Sequence, residues 1–419
     1  MCVAPDDSNL LVSELTDPSA TMWTIISSAL VLIMTPGLAF FYGGMVSKKN
    51  MIATMAAVLI NMAVIPVMWS IIGFSLAFGE SAGYPDMIGT PRTYGIFYNV
   101  DSTEFSDFGV PITAFWIFQG MFAILTPAIL VGSIADRVNI ASLFLFVPMW
   151  HMAVYCPVAF MVFNGGLISQ YGVVDFAGGM VVHMSSGWSA LAAAFFLGSR
   201  KAASDGPASV PYTILGAALL WFGWFGFNAG SALAGSPTAG LAFANTIIAT
   251  STGMLAWILM DQLYGRPFKV TGIAFGIVCG LVGITPACAS VNYGAAAIIG
   301  IVAAMASSIV QWFMHWIGFL VVDDTLDVFA AHGVAGTAGM IMTSLFQYYG
   351  VPDGAFYGNP IELGRCMITL VALVGYFLVA TLILMFLTNF FITMRVSEEE
   401  EEEGLDMSKH WEGPTADAE

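Results

Sequence analysis

The sequence predicts an all-α protein that crosses a membrane many times, and three observations lead to this fold class. Hydrophobic residues make up 58% of the chain, charged residues only 9%, and the mean hydropathy is +0.83. A soluble chain of 419 residues needs a polar exterior that this composition does not supply. A helix that spans a bilayer needs roughly 20 apolar residues, and about eleven stretches of that length occur between residues 22 and 394.

Each predicted transmembrane helix begins and ends with its apolar run. In chain order the eleven helices cover residues 22–44, 51–79, 111–133, 139–162, 177–198, 211–232, 240–260, 271–290, 294–320, 330–348 and 363–394. They divide the chain into an extracellular N-terminal segment (1–21), a transmembrane domain (22–394) and an acidic cytoplasmic tail (395–419). The tail carries ten acids and two bases, and its run of six glutamates (398–403) is expected to be a solvated segment.

Basic residues predict the orientation of the helices. With eleven spans and the N-terminus outside, nine of the eleven Lys and Arg residues lie on the inner side, and only Arg92 and Arg365 lie outside. The positive-inside rule therefore predicts an N-out, C-in multi-pass protein of the cell membrane. The nine inner residues are Lys48, Lys49, Arg137, Arg200, Lys201, Arg266, Lys269, Arg395 and Lys409.

Weak similarity between the two halves of the chain predicts an inverted repeat of five helices. PGLAFFYGG (36–44) is similar to GWFGFNAGS (223–231), and DFAGGMVVH (175–183) is similar to DVFAAH (327–332). A unit with an odd number of crossings must run inverted in its second copy, and such repeats place the substrate path at their interface.

Several function classes find no support in the composition. There is no basic patch for nucleic acid, and the five cysteines show neither disulfide nor metal spacing, so we predict no metal, no cofactor and no enzymatic activity. The outer loop 80–110 is acidic, which fits either attraction of cations or simple solubility. Its acids are Glu80, Asp86, Asp101, Glu104 and Asp107.

Two histidines, His183 and His332, lie well inside predicted spans, where an imidazole is costly. Each could be a core histidine bonded to a backbone group, but their related settings favour a joint role in one site. His151 and His315 are adjacent to tryptophans and are expected at the membrane interface, and His410 lies in the tail.

Two aspartates stand at the start of the histidine-bearing segments. Asp175 and Asp327 are expected to cap these helices, where a carboxylate accepts free backbone N–H groups. Asp175 also faces the predicted outer entrance. Asp323 and Asp324 fall in a predicted inner loop and are expected to be solvated.

Aromatic residues suggest a cation site, although packing is an equally simple explanation. Phe118 and Phe122 share one helix face, and Ser231 follows Phe227 by four residues. Aromatic faces attract desolvated cations by about 2 kcal/mol, and a serine oxygen can accept a hydrogen bond from one.

Taken together, the sequence motifs resemble those of the ammonium transporter family (Amt/Mep/Rh), Amt branch, over nearly the whole chain. The family implies a homotrimer in which each eleven-helix subunit surrounds its own narrow pore. The motifs are PGLAFFYGGMVSKKN, FQGMF, DFAGGMVVHMSSGWSALAAAFFLGSRK, WFGFNAGS, GLVGITPAC, DDTLDVFAAHGVAG and GLDMSKH.

The resemblance implies roles for individual residues. His183 and His332 match the twin histidines of the family's pore, which carry the proton path. Phe122 and Phe227 match the ring pair that gates the outer vestibule.

Three further residues match the external site that binds ammonium, to which Phe122 also belongs. Ser231 matches its hydroxyl, Asp175 matches the acid behind it, and Phe163 occupies a position that is often tryptophan. Phenylalanine is a weaker cation-binding face and has no N–H, so we expect reduced external affinity.

These features predict an ammonium transporter that deprotonates NH4+ at the outer vestibule and conducts NH3, with separate passage of H+. The alternatives are an ammonium sensor built on the same bundle and a haem protein that uses the histidines as ligands. The family also implies a PII-type regulator as a candidate partner on the cytoplasmic face, where Trp411 follows His410 in place of the usual glycine.

Overall fold

The computed structural model describes residues 17–101, 106, 109–202, 206–317 and 322–412. Within these ranges the chain is helical, and its only β-pairing consists of two isolated bridges. The predicted all-α fold class is therefore confirmed. Most of the predicted N-terminal segment, the loop acids Glu104 and Asp107, and the end of the tail (413–419) lie outside the described residues.

Eleven apolar helices follow one another along the chain, and two short helices follow them in the tail. They are α1 (Pro18–Met45), α2 (Lys48–Phe78), α3 (Ile112–Ile134), α4 (Ile140–Tyr171), α5 (Gly179–Leu197), α6 (Val210–Ala232), α7 (Pro237–Leu263), α8 (Val270–Ile284), α9 (Tyr293–Trp316), α10 (Phe329–Phe346), α11 (Pro360–Phe391), α12 (Glu398–Glu403) and α13 (Leu405–His410).

Ten of these described helices are long and apolar enough to cross a membrane, and α8 is shorter. The sequence predicts that the eighth helix reaches residue 290, but α8 ends at Ile284 and the chain then turns through Thr285 and Pro286. A proline has no backbone N–H to continue the helical ladder, and the amide of Thr285 already bonds the Val282 carbonyl three residues back.

The helices that correspond in the predicted repeat pack against each other. α1 packs along α6, and α5 packs against α10. The two segments that carry His183 and His332, Gly179–Met184 and Phe329–Val334, are both π-helical turns. Such wide turns occur frequently at functional sites, and nothing in the hydrophobic periodicity indicates them.

The tail packs against one end of the bundle rather than extending into solvent. Glu401 is buried and accepts hydrogen bonds from the backbone amides of Lys201 and Ala202 and from the Arg395 guanidinium. The Lys49 ammonium donates to the Glu401 carbonyl at 3.1 Å. The expectation of a solvated glutamate run was therefore wrong for Glu401, because the amides of Lys201 and Ala202 and the Arg395 guanidinium surround its carboxylate.

Candidate functional site

The histidine-bearing turns of α5 and α10 bring His183 and His332 into contact. The Nδ1 atoms of the two rings lie 3.3 Å apart, within hydrogen-bonding distance, and the ring centroids are 5.4 Å apart. Both side chains are buried, with 0% exposure for His183 and 5% for His332. The two rings, each of which the sequence also allowed as a core histidine bonded to a backbone group, therefore lie side by side in one buried site.

The short contact between two Nδ1 atoms restricts the protons of the neutral pair. Only one of the two nitrogens can carry the shared hydrogen, so a neutral pair must combine opposite tautomers. The Nε2 atom of His183 is also buried and has no hydrogen-bond partner within the described residues. The pair therefore presents uncharged donor and acceptor groups in a site that is otherwise apolar.

Aromatic rings from α3 and α6 pack beside the pair. The Phe227 ring lies nearly parallel to the His183 ring at 5.5 Å, with 14° between the planes. Phe122 meets Phe227 edge to face, with centroids 4.7 Å apart and an angle of 71°. The family resemblance implies a stacked ring pair, but the two rings meet in a T shape, an arrangement that aromatic quadrupoles favour over a parallel sandwich.

Ser231 lies at the C-terminal end of α6, four residues beyond Phe227. Its hydroxyl donates to the Phe227 carbonyl at 2.7 Å, so its oxygen lone pairs remain available to accept a hydrogen bond from a cation. Phe118 packs beside this segment. A Cβ atom built on Gly230 would lie 3.1 Å from the Phe118 ring. The FQGMF segment, with Phe118, and the WFGFNAGS segment, with Ser231, therefore lie next to each other.

Phe163 ends an α-helical part of α4 and lies against the turn that precedes α5. A Cβ atom built on Gly178 would be 3.8 Å from Cζ of Phe163. Gly178 has a φ of 113°, a left-handed conformation that favours glycine. This turn sets where α5 begins, and it brings Phe163 close to the Asp175 loop.

Asp175 caps α5 as predicted. Its two carboxylate oxygens accept from the amides of Gly178, Gly179 and Met180 at 2.6 to 2.9 Å. Its side chain is buried, with 7% exposure. The buried cap therefore fixes the start of the helix that carries His183.

On the tail side, the prediction assigned the capping role to the wrong aspartate. Asp324, not Asp327, accepts from the Phe329 amide at 2.7 Å. Asp327 instead accepts from Gln311 at 2.8 Å and lies 3.0 Å from Nε2 of His315. His332 therefore follows its capping aspartate by eight residues, as His183 follows Asp175.

The inner-loop aspartates are not solvated, contrary to expectation. Asp323 is 1% exposed and bonds Arg200 through both carboxylate oxygens at 2.8 and 2.9 Å. Burial, together with the nearby charge of Asp327, raises the pKa of Asp324 to about 7. Asp324, Asp327 and Phe329 line a cavity of about 160 Å³ next to the His332 turn.

The remaining histidines are separate from this pair. His151 was expected at the interface but is fully buried in a π-helical turn, where it stacks on Tyr155 at 5.3 Å. His315 is exposed at the end of α9, with 59% of its side chain accessible. Within the described residues no group of three or more His, Cys, Asp or Glu side chains could hold a metal ion.

Trp224 and Thr285 are part of the histidine site, and sequence reasoning did not identify them. The Trp224 ring lies 5.1 Å from the His183 ring with 18° between the planes. Its indole N–H donates to the Thr285 hydroxyl at 3.0 Å. The available signals were the i, i+3 spacing of Trp224 and Phe227 on one helix, and the position of Thr285 within GLVGITPAC.

Comparisons of sequence and structure agree on the relatives of this chain. The profile of the Ammonium Transporter Family matches residues 22–415. An ammonium transporter of Aquifex aeolicus is 40% identical over 406 residues, which cover 94% of this chain and 93% of that protein. An ammonium transporter of Bacillus subtilis is 38% identical and covers 94% and 97% of the two chains.

The fold has solved counterparts. The crystal structure of Saccharomyces cerevisiae Mep2 superposes with a TM-score of 0.85 at 30% identity, and the match covers 94% of both chains. A structure described as a sensor Amt protein has a TM-score of 0.86 at 24% identity, which shows a shared fold alone. On the family profile and these relatives, the chain belongs to the ammonium transporter family.

Proposed function

We propose that this protein transports ammonium across the cell membrane, by binding NH4+ at an outer vestibule, removing its proton and conducting NH3 past a pair of histidines. The observation that carries the proposal is the 3.3 Å contact between Nδ1 of His183 and Nδ1 of His332, buried beneath the Phe122 and Phe227 rings. Membership of the ammonium transporter family supports the substrate.

The outer site would recognise the cation by its charge and its N–H groups. Ser231 offers an acceptor oxygen, and Phe122 and Phe163 offer aromatic faces that attract a positive charge. Asp175 contributes at a distance, because its carboxylate oxygens bond the three amides that begin α5. Its charge therefore favours a cation nearby while it holds the helix in place.

The proton is removed because the intact ion is expensive to carry through the membrane. A charge at the bilayer centre costs roughly 3 to more than 10 kcal/mol, whereas neutral NH3 avoids that cost. Phe122 and Phe227 close the outer side of the histidine pair and exclude the hydrated ion. Ammonia beyond them meets the neutral imidazoles, which can donate to it or accept from it.

The proton would follow separately along the histidine pair, so that net transport moves charge. The shared hydrogen between the two Nδ1 atoms makes His183 and His332 a coupled pair that can pass a proton by exchanging tautomers. The cavity lined by Asp324 and Asp327 gives the other end of this path an acidic outlet.

Orientation and assembly complete the proposal. The described basic residues Lys49, Lys201 and Arg395 contact the glutamates of the docked tail at one end of the bundle, and the positive-inside rule assigns that end to the cytoplasm. The family supports a homotrimer with one pore per subunit. A PII-type protein is the candidate regulator for the same cytoplasmic face.

Purified protein in proteoliposomes tests this proposal. On a solid-supported membrane, ammonium pulses should produce currents that empty liposomes lack, and methylammonium should produce smaller ones. The variant that carries both His183→Ala and His332→Ala should lose selectivity for ammonium over potassium by at least tenfold, because removing both rings leaves space for water and ions. Unchanged currents and selectivity would refute the role of the pair, and saturable binding without flux would favour a sensor.

A further inference from the structure

Thr285 and Pro286, in the turn after α8, contact the histidine site from two directions. The turn belongs to the GLVGITPAC motif, for which the proposed mechanism gives no role. Thr285 is fully buried, and its hydroxyl donates to the Leu281 carbonyl at 2.8 Å. With that hydrogen committed, its oxygen is fixed as the acceptor for the Trp224 indole at 3.0 Å.

The first direction runs through Trp224. The indole lies nearly parallel to both the His183 ring, at 5.1 Å, and the Phe227 ring, at 5.0 Å, with 18° between the planes in each case. An indole held by one hydrogen bond cannot rotate without leaving a buried N–H unpaired. The orientation of Trp224 therefore limits the tilt of the His183 ring that stacks on it.

The second direction runs through the backbone that begins α5. The Pro286 carbonyl accepts from the Phe176 amide at 3.1 Å. The Pro286 ring also packs on Gly179, where an added Cβ atom would lie 2.8 Å from it. Residues 176 and 179 flank the turn that fixes the start of α5, and His183 follows one helical turn later.

We propose that Thr285 is a positioning residue for proton transfer, which sets the His183 ring through Trp224 while Pro286 sets the backbone that carries it. This inference rests on the proposed function of His183. A misplacement of a reacting group by about 1 Å can cost on the order of a hundredfold in rate. The hydroxyl of Thr285 is thus expected to matter for transport although it does not touch either histidine.

The test replaces the hydroxyl without changing the shape of the side chain. Thr285→Val should reduce the ammonium current roughly tenfold, and Thr285→Ser should restore at least half of it. Thr388→Val is the matched control, because Thr388 is equally buried and donates to the carbonyl four residues back at 2.8 Å. It lies on α11, which is not part of the histidine site, and should leave the current unchanged.

A double-mutant cycle and a spectroscopic measurement separate positioning from stability. Trp224→Phe removes the indole donor, so Thr285→Val should cause no further loss in that background. Solid-state ¹⁵N spectra in bilayers should show shifted ring nitrogens of His183 in Thr285→Val and native ones in Thr388→Val. If the two substitutions reduced the ammonium current independently, so that their fold-reductions multiplied in the double variant, the inference would be overturned. Native His183 signals in Thr285→Val would overturn it as well.

The same spectra distinguish this inference from the proposed function. If the wild-type protein produces no ammonium current, the proposed function fails, but the His183 signals still report whether Thr285 positions the ring. If Thr285→Val does not fold, Trp224→Phe alone carries the test. Native His183 signals in that variant would overturn the role of the Thr285–Trp224 bond.

Discussion

A Cβ atom built on Gly187 would lie 2.0 Å from the backbone nitrogen of Gly333 and 2.4 Å from its Cα. The backbones of α5 and α10 therefore touch, four residues after His183 and one residue after His332. Small residues permit this close approach between membrane helices. The contact between the two imidazoles depends on it, because any side chain at Gly187 separates the helices that carry them.

We expect Gly187→Ala to destabilise the protein by about 3 kcal/mol and to abolish ammonium currents. Without the clash, alanine would stabilise a helix by roughly 0.5–1 kcal/mol relative to glycine. Gly375→Ala provides that comparison, since no atom lies within 4 Å of a Cβ built there on α11. Melting temperatures in detergent and currents in liposomes measure both effects. A Gly187→Ala protein as stable as Gly375→Ala would show that the helices can move apart without cost.

Asp324 gives the stability of the protein a pH dependence with a defined sign. Burial and the Asp327 charge raise its folded-state pKa to about 7, above the unfolded value of about 3.9. The folded state thus binds the Asp324 proton more tightly than the unfolded state does. The stabilisation that results is present at low pH and is lost as pH rises towards 7.

We expect Asp324→Asn to remove this dependence, because asparagine resembles the protonated acid and can still accept from the Phe329 amide. Between pH 5 and pH 8 the stability of the wild type relative to this variant should fall by about 3 kcal/mol. Asp353→Asn, at an exposed position, controls for the effect of removing a carboxylate that is not buried. Melting curves over this pH range measure the difference. If the difference in stability between the wild type and Asp324→Asn did not change with pH, the assigned burial of the Asp324 carboxylate would be contradicted.

The fold class followed from the sequence because apolar length is a direct physical requirement of a bilayer. The end of α8 did not follow from the sequence, because a Thr-Pro turn inside an apolar run leaves the hydropathy of that run unchanged. The absence of disulfide spacing agrees with the structure, in which the four described cysteines are free and buried and pack as small hydrophobic side chains: Cys156, Cys279, Cys288 and Cys366.

The candidate site was predictable as a set of residue types, and less so as a geometry. His183 and His332 were identified because ionisable rings are costly in apolar segments. The cap at Asp324 was missed because the motif similarity pointed to Asp327, whereas the π-helical turn shifts the helix start. Trp224 was missed because the chain has eleven tryptophans, and the i, i+3 spacing to Phe227 does not by itself indicate a ring that stacks on a histidine.

Phe163→Trp should increase the apparent affinity for external ammonium. An indole attracts cations more strongly than a phenyl ring and adds an N–H donor, and a gain of about 0.5–1 kcal/mol corresponds to a two- to fivefold lower half-saturating concentration. Concentration series of ammonium currents measure it. Phe195→Trp, at an exposed position on α5, should leave the value unchanged. An unaltered half-saturating concentration in Phe163→Trp would place the external site elsewhere.

Asp406 should hold the tail against the bundle, because its carboxylate caps the start of α2. It accepts from the amides of Ala53 at 2.8 Å and Ile52 at 3.1 Å, where the helix dipole favours a negative charge. Removing such a cap costs about 1–2 kcal/mol, so Asp406→Ala should accelerate amide hydrogen exchange in α12 and α13 by about tenfold. Glu403→Ala, with an exposed side chain beside it, should not. Equal exchange in the two variants would mean that the buried Glu401 and its partners in the inner loops are sufficient to dock the tail.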